Sequence, residues 1–436
     1  MKQSGIDWIG EIPDDWKIEK FGHVLKERNE KNNPIISTER LSVSIDIGVT
    51  LYSDKTTNLD RFKDDFSQYK IAHEGDLVMN SMNVIVGSEG ISPYFGCVSP
   101  AYYTYYCDDE EFNSARYCDY LFKTKSLKKF LRAIGKGIYA IDRGDDKVNT
   151  CRLKVSRMDM KNLLIPLPPK ATQQRIAEYL DSKCAQIDSI IEESKKSIEE
   201  YKAWKQSVIF EAVTGKNLNC KKKDSGIEWI GEIPEGWEVK RFKFIVTSLE
   251  KGAGITKEEV FEDGDTSCVR YGEIYSKYKQ SFSKCLSKTF NSKIPVKKYF
   301  SKGDILFVGT GELVEEIGKC IAYLGDENCL AGGDIIIAKH KQNPSFLSYA
   351  MNSSYAQNQK SRNKAKLKVV HISATEIGDV QILLPPLSEQ ESIAKMLDSK
   401  CAQIDSLIAE KESLIADLTE YKKSIIFEVV TGKRSV

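Results

Sequence analysis

Long apolar runs are missing from this chain, and no stretch approaches the ~20 residues that a membrane-spanning helix needs. Residues 1–10 hold no apolar core of the kind that export signals carry. Histidine is scarce and dispersed (His23, His73, His340 and His371), so each reads as structural rather than catalytic. The 11 cysteines include no Cys-x-x-Cys pair and no histidine at zinc-ligand spacing, which excludes the common structural zinc sites. Unpaired thiols without an export signal point to a reducing, cytoplasmic setting. The Gly-rich phosphate loop of an NTP motor is absent, as is any serine or cysteine nucleophile motif. Pro13-Asp14 lacks the acidic-x-Lys partner of a metal-dependent nuclease. Phe307 to Gly311 fits the F-x-G-x-G pattern of S-adenosylmethionine-dependent methyltransferases, but the Asn/Asp-Pro-Pro-aromatic companion is missing, and the match reads as chance. Nothing marks an enzyme.

Net charge is slight too, at +1. Phosphate binding needs a local Lys/Arg excess rather than a global one. The charge is in fact segregated: Arg116 to Arg157 is strongly basic, whereas Asp60 to Glu111 is mostly acidic.

What the chain does have is an internal repeat, which fixes its organisation. Ser4 to Trp16 (SGIDWIGEIPDDW) returns at Ser225 to Trp237 (SGIEWIGEIPEGW). Leu180 to Ser189 (LDSKCAQIDS) returns letter for letter at Leu397 to Ser406. Each of these second blocks follows a proline pair, Pro168-Pro169 or Pro385-Pro386, and closes on SVIFEAVTGK or SIIFEVVTGK. Between the anchors, residues 17–164 and 238–382 share little beyond a Gly-Asp turn (Gly75-Asp76 and Gly303-Asp304) and the approach to the prolines. Four of the five tryptophans lie in the anchors, which makes them scaffold. The order is anchor, variable domain, helix block, then the same again. Residues 1–170 and 218–387 are the expected variable domains, and 171–217 and 388–436 the expected helices.

The helix blocks carry a heptad seam. Leu180, Ile187, Tyr201 and Val208 with Ile191 and Ile198 form it in the first copy. Leu397, Ile404, Leu418 and Ile425 with Ile408 and Ile415 form it in the second. Lys205 interrupts one row. Ser388 with Glu391 fits a capping box, and Gly215 and Gly432 are helix stops. About 45 residues at 1.5 Å each give helices of roughly 65 Å. Lone helices of that length expose the whole seam, so each is expected to lie antiparallel against the other. The bland alternative is a coiled coil used only for dimerisation, but such a coil needs no second, diverged domain in the same chain.

The variable domains read as mixed, with strands near Asp76 to Met79, Ala101 to Cys107, Asp304 to Val308 and Asp334 to Ala338. Single helices are expected from Ser114 to Ile134 and from Ser345 to Gln357. Each domain has a basic cluster shortly before its proline pair. The first holds Lys125, Lys129, Arg132, Lys136, Arg143, Lys147, Arg152 and Lys154, together with Lys123 and Lys128. The second holds Lys360, Arg362, Lys364, Lys366 and Lys368, whose alternation predicts one face of a strand or an extended loop. A solvated surface is the ordinary reading of a charge run. Recurrence in two diverged domains favours phosphate contact. Polar residues after the Gly-Asp strands are candidate base readers: Asn80, Ser81 and Asn83 in the first domain, Thr310 and Glu312 in the second.

With both anchors, the proline pair and the Gln390, Ile393-Ala394 and Leu397-Asp398 helix start, the chain resembles the specificity (S) subunit of type I restriction–modification systems. The first copy departs at Thr172, where the second has Glu389, while Gln173 matches Gln390. The resemblance implies an α+β chain of two mixed α/β target-recognition domains, separated by a pair of long antiparallel coiled-coil helices in a pseudo-two-fold repeat. It also implies a non-catalytic subunit that binds double-stranded DNA, each domain reading half of an asymmetric bipartite site while the helices set the gap. Partners would be two modification (methyltransferase) subunits and the restriction (translocase and nuclease) subunits. S-adenosylmethionine, ATP and Mg²⁺ would belong to those partners, with no cofactor or metal on this chain. The other class of function is a scaffold that binds proteins through its two variable domains.

Overall fold

The computed structural model describes residues 1–45, 47–55, 65–108, 114–138, 152–228, 230–311, 313–362, 364 and 369–436. Two helices dominate the element order, Lys170–Thr214 and Leu387–Val430. By packing density the chain divides into two compact units. The first unit holds residues 1–195 and 413–436, and the second holds 196–412. Each unit therefore contains one variable domain, the near part of one long helix and the far part of the other.

In the first unit an antiparallel sheet runs in the order Lys26–Glu27, Tyr102–Tyr106, Leu77–Asn80, Glu89–Ile91. Gly75 and Asp76 start its central strand. Gly75 takes a left-handed φ of 86°, and the buried Asp76 carboxylate accepts from His73 N (2.8 Å) and from the Arg28 guanidinium. In the second unit Gly303 (φ 93°) and Asp304, which accepts from Ser301 N at 2.8 Å, make the same turn before Ile305–Val308. That strand sits third in a five-stranded sheet ordered Val246–Lys251, Ile335–His340, Ile305–Val308, Cys320–Tyr323, Ser281–Phe282. A further four-stranded sheet is ordered Ser287–Thr289, Thr266–Val269, Cys329–Ala331, Tyr299–Phe300.

The helical stretches expected to be single are broken. Ser114–Phe122 stops before Thr124, whose hydroxyl caps Lys125–Ile134 by accepting from Leu127 N. Pro344–Asn352 stops at Ser353, which is extended (φ −64°, ψ 155°) ahead of Ser354–Ser361. Apolar periodicity runs through both breaks; the capping hydroxyl of Thr124 marks the first, whereas Ser353 makes no side-chain cap.

Incoming and outgoing chain are fastened together in each domain. Lys17–Lys20 pairs with Leu164–Leu167, and Glu238–Arg241 pairs with Gln381–Leu384. The proline pair then opens the helix. Gln173 and Gln390, both buried, donate from their side chains to Pro168 O and Pro385 O at 2.8 Å. Ser388 is the second residue of its helix, so it does not form the expected capping box; Pro386 O accepts from Gln390 N at its start. Glu389, the letter missing from the first copy, accepts from the indole Nε1 of Trp237 at 2.8 Å.

The repeated decapeptide has a structural reason for most of its letters. In the first unit Leu180 is fully buried, Asp181 accepts from Tyr120 Oη (2.5 Å), Cys184 and Ile187 are buried, and Asp188 pairs with Lys422 (2.6 Å). In the second unit Leu397, Cys401 and Ile404 are buried, Asp398 accepts from Tyr349 Oη (2.8 Å), and Asp405 pairs with Lys205 (2.7 Å). The seam interruption at Lys205 is thus one half of a cross-helix ion pair. Within each unit the two helix segments are antiparallel. In the first, Val430 O lies against Tyr117 beside Pro166 O, while Lys422 meets Asp188. In the second, Trp237 touches both Gly215 and Glu389, while Lys205 meets Asp405. Ile425 and Ile198 are buried, and Ile191, Tyr201, Val208, Ile408, Ile415 and Leu418 are half-buried. Burying one such side chain is worth about 1.5–3 kcal/mol, whereas a half-exposed ion pair is worth roughly 0–1 kcal/mol. The seam therefore stabilises the pairing, and the ion pairs fix its register.

Both helices end in left-handed glycines. Lys216 N bonds to Glu211 O (3.1 Å) across Gly215 (φ 68°), and Lys433 N to Glu428 O (2.8 Å) across Gly432 (φ 72°). A Cβ on Gly432 would lie 2.3 Å from Pro13 Cδ, and one on Gly215 2.6 Å from Pro234. Gly10 has the same φ, 73°, with open space around it. Gly10→Ala should therefore cost about 1 kcal/mol from backbone strain alone. Gly432→Ala should cost clearly more, as read by chemical denaturation of the two variants. Equal losses would show that the contact with the anchor contributes nothing.

Candidate nucleic-acid interface

The basic cluster of the first domain divides by burial. On Lys125–Ile134, Leu127 and Leu131 face the core, which turns Lys125, Lys129 and Arg132 outward. Beyond Gly135 the chain pairs Lys136–Ile138 with Arg152–Lys154, and Lys136 stands directly opposite Lys154. Both lysines are exposed. Like charges placed directly across a ladder are destabilising without a counter-charge. Among the described residues, Lys129, Arg132, Lys136 and Lys154 form no ion pair. The Arg152 backbone is in this hairpin; Arg143 and Lys147 lie outside the described residues.

Two lysines of the same run do something else. Lys123 pairs with Asp119 at 2.5 Å, and Lys128 reaches under the surface to within 3.6 Å of Glu89. Glu89 is buried, which pushes its carboxyl up to about 8; Lys128 and Lys123 oppose the shift and Asp119 adds to it. Both acids line a cavity of about 280 Å³.

Of the candidate base readers, Asn80 is half-buried and its side chain accepts from Met82 N (3.1 Å), and Asn83 is half-buried. Ser81 is fully buried, with its carbonyl accepting from Val155 N, so it does not face DNA. Thr310 is half-buried and lies 3.1 Å from His371 Nδ1 through its hydroxyl. Glu312 is outside the described residues.

The second basic cluster is not the one-faced array expected from its alternation. Lys360 lies in the last turn of a helix, fully buried, and donates to Gly318 O at 2.7 Å. Burial lowers its ammonium to about 8. Lys364 donates to His371 O and pairs with Glu376. Arg362 is exposed, and Lys366 and Lys368 lie outside the described residues. Spacing alone could not separate a lysine that seals a carbonyl from one that meets solvent. The groove that the sequence did not point to is lined by Lys251, Gly252, Gly254, Arg270, Tyr271 and Gly332, with a volume of about 480 Å³. Arg270 is half-buried there, with its Nε lacking a partner among the described residues.

Glu89 makes a pH-dependent contribution whose sign follows from its shift. Its folded value, about 8, lies above the ordinary 4.5, so the folded chain keeps a proton that the unfolded chain releases. Stability from this group falls as pH rises from about 4.5 to about 8 and then levels. Glu89→Gln should flatten the thermal midpoint against pH across that window; an unchanged slope would mean that Glu89 ionises normally.

Among the described residues no group of three or more His, Cys, Asp or Glu is placed to hold a metal ion, and no helix is long and apolar enough to cross a membrane. Residues 13–200 and 234–415 match the type I restriction modification DNA specificity domain, once in each half. The specificity subunit of the type I restriction enzyme MjaVIII from Methanocaldococcus jannaschii is 26% identical over 97% of this chain and 93% of its own length. The EcoKI specificity subunit of Escherichia coli is 25% identical over 65% of this chain and 60% of its own. A chain from a solved type I R-M system covers 97% of this one and all of its own, with a TM-score of 0.71 at 16% identity. The HsdS subunit of Thermoanaerobacter tengcongensis covers 100% of both chains, with a TM-score of 0.55 at 16% identity. Two matched copies spanning most of the sequence place this chain in the type I restriction–modification specificity subunit family.

Proposed function

We propose that the chain is the DNA-reading subunit of a type I restriction–modification complex and carries out no chemistry itself. The observation that carries this reading is the doubled DNA specificity domain, one copy in each half, on domains whose sequences differ. Unlike readers imply unlike half-sites and an asymmetric target. Each wrong base pair should cost roughly 1–3 kcal/mol. The helices, unbroken by proline, serve as the spacer and as the docking frame for modification subunits, with restriction subunits completing the complex. S-adenosylmethionine, ATP and Mg²⁺ are then handled by those partners.

Lys129, Arg132, Lys136 and Lys154, which form no ion pair among the described residues, support phosphate contact in the first domain. In the second domain Arg270, at the mouth of its glycine-lined groove, is the better candidate than Lys360 or Lys364.

Gel-shift titration of the complex on duplex DNA at several salt concentrations tests this. Lys129→Ala with Lys136→Ala should weaken binding to all sequences alike and reduce the salt slope by about one for each lysine. Altered base preference with an unchanged slope would remove the phosphate assignment. Deleting one heptad from both helices should change the preferred gap in the methylated site and leave the bases read unchanged. A constant gap would end the spacer role.

A further inference from the structure

The two domains carry one frame, and its register locates where they differ. In the first, Cys97 pairs with Ile71, four residues before Gly75, and bridges in parallel to Arg40. In the second, Leu330 pairs with Tyr299, four residues before Gly303, and runs parallel to Cys268. Arg40 and Cys268 therefore hold the same place. Beyond it the chains part. The first domain forms a hairpin, Leu41–Ser44 against Gly48–Leu51. The second turns into the short helix Tyr271–Ser276, with Arg270 ahead of it. Readers of different half-sites need such an unlike element on a common frame.

The hairpin breaks the ordinary rule for turns, which are usually built from Gly, Asn, Asp or Ser. Its loop carries Ile45 and Ile47, which are 53% and 75% exposed. The stem is complete without them, since Leu41, Val43 and Val49 are buried in their own small core. A local rule broken with no gain in packing is characteristic of a functional site.

What lies beside the tip selects the ligand. Ile45 and Ile47 share a shallow depression of about 340 Å³ with Asn83, Ser88 and Lys55. The Asn83 side chain caps no helix and makes no hydrogen bond among the described residues, so its carboxamide is uncommitted within the fold. Lys55 is exposed, and its ammonium donates to the hydroxyls of Ser42 and Ser44 on the stem (3.3 and 3.5 Å) rather than to an acid. That cation complements a phosphate backbone. In the major groove thymine offers a methyl group, and adenine offers a donor and an acceptor that a carboxamide matches at two points. Two isoleucines and one asparagine form that complement. Guanine calls for a free Arg or Lys and cytosine for an acid. Among the residues that line the depression there is no acid, and its lysine is tied to the stem.

We propose that Ile45, Ile47 and Asn83 read A·T pairs in the half-site of the first domain, the isoleucines against thymine methyls, the Asn83 carboxamide on an adenine edge, and Lys55 on a phosphate. The assignment rests on the DNA-reading function.

Selection of duplexes from a random library by the chain assembled with its modification subunits gives the bound site. Replacing each thymine by uracil in turn then removes one methyl and leaves the pairing intact. At one or more positions of one half-site the wild-type complex should lose about fourfold in affinity, the worth of one buried methyl. Ile45→Ala with Ile47→Ala should bind the thymine and uracil duplexes alike at those positions. Asn83→Ala should relax the choice of adenine in the same half-site by about fivefold or more. Neither variant should alter the other half-site or the salt slope, and thermal melts confirm that both fold. Uracil tolerated throughout by the wild type, discrimination kept by the folded double variant, or an unchanged choice of base in Asn83→Ala would each overturn the proposal. Loss of assembly with the modification subunits in the double variant would overturn it too, by assigning the tip to that partner. A complex with no salt-dependent duplex binding at all ends the DNA-reading function itself. A complex that binds a defined site without regard to these residues ends only this assignment.

Discussion

Each helix end is seated on an anchor through a glycine, and the rest of the frame is arranged around that contact. Gly432 lies against Pro13 and Trp16, and Gly215 against Pro234 and Trp237. The left-handed turn frees the chain to leave the helix, and the missing side chain lets proline approach. Indole, proline and the last helical turn then join one core: Trp16 clusters with Ile425, Val429 and Val430, and Trp237 with Ile209, Ala212 and Val213. This explains why sequence identity persists at the anchors and helix ends, as it does in the repeated decapeptide, while the domains diverge. Those letters serve packing that both units need, whereas the domains are free to differ.

The domains share less sequence but the same mechanical parts. An aromatic immediately after the incoming strand meets the sheet in each: Phe21 lies edge-on to Tyr105 (4.8 Å between centroids), and Phe242 edge-on to Phe307 (5.4 Å). A serine caps the short helix before the outgoing strand, Ser156 in one and Ser373 in the other. A tyrosine on the domain's helix then holds the aspartate of the long helix. Local rules of turn and cap thus survive where overall identity does not.

Those local rules were the part of the fold that the sequence made readable. The Gly-Asp turns, the helix-stopping glycines and the heptad rows follow from backbone geometry and periodicity. Apolar spacing continues across Thr124 and Ser353 and so hides both breaks, although Thr124 is a helix cap. The candidate interface is less legible, because charge spacing carries no information about depth. Lys128 and Lys129 are neighbours in the chain, yet one turns inward toward Glu89 and the other meets solvent. Lys360 and Arg362 divide in the same way. Glu89 and Asp119 come together only through the sheet and the helix that covers it, so no local pattern announces them.

Where Lys17–Lys20 lies on Leu164–Leu167, and Glu238–Arg241 on Gln381–Leu384, a domain begins and finishes side by side. A cassette clasped at its neck transmits little of its internal rearrangement to the frame that carries it. Loops and whole sheets inside the clasp can be traded for others, provided that four backbone pairs reform at the neck. Such a protein can acquire a new vocabulary while its grammar stays fixed.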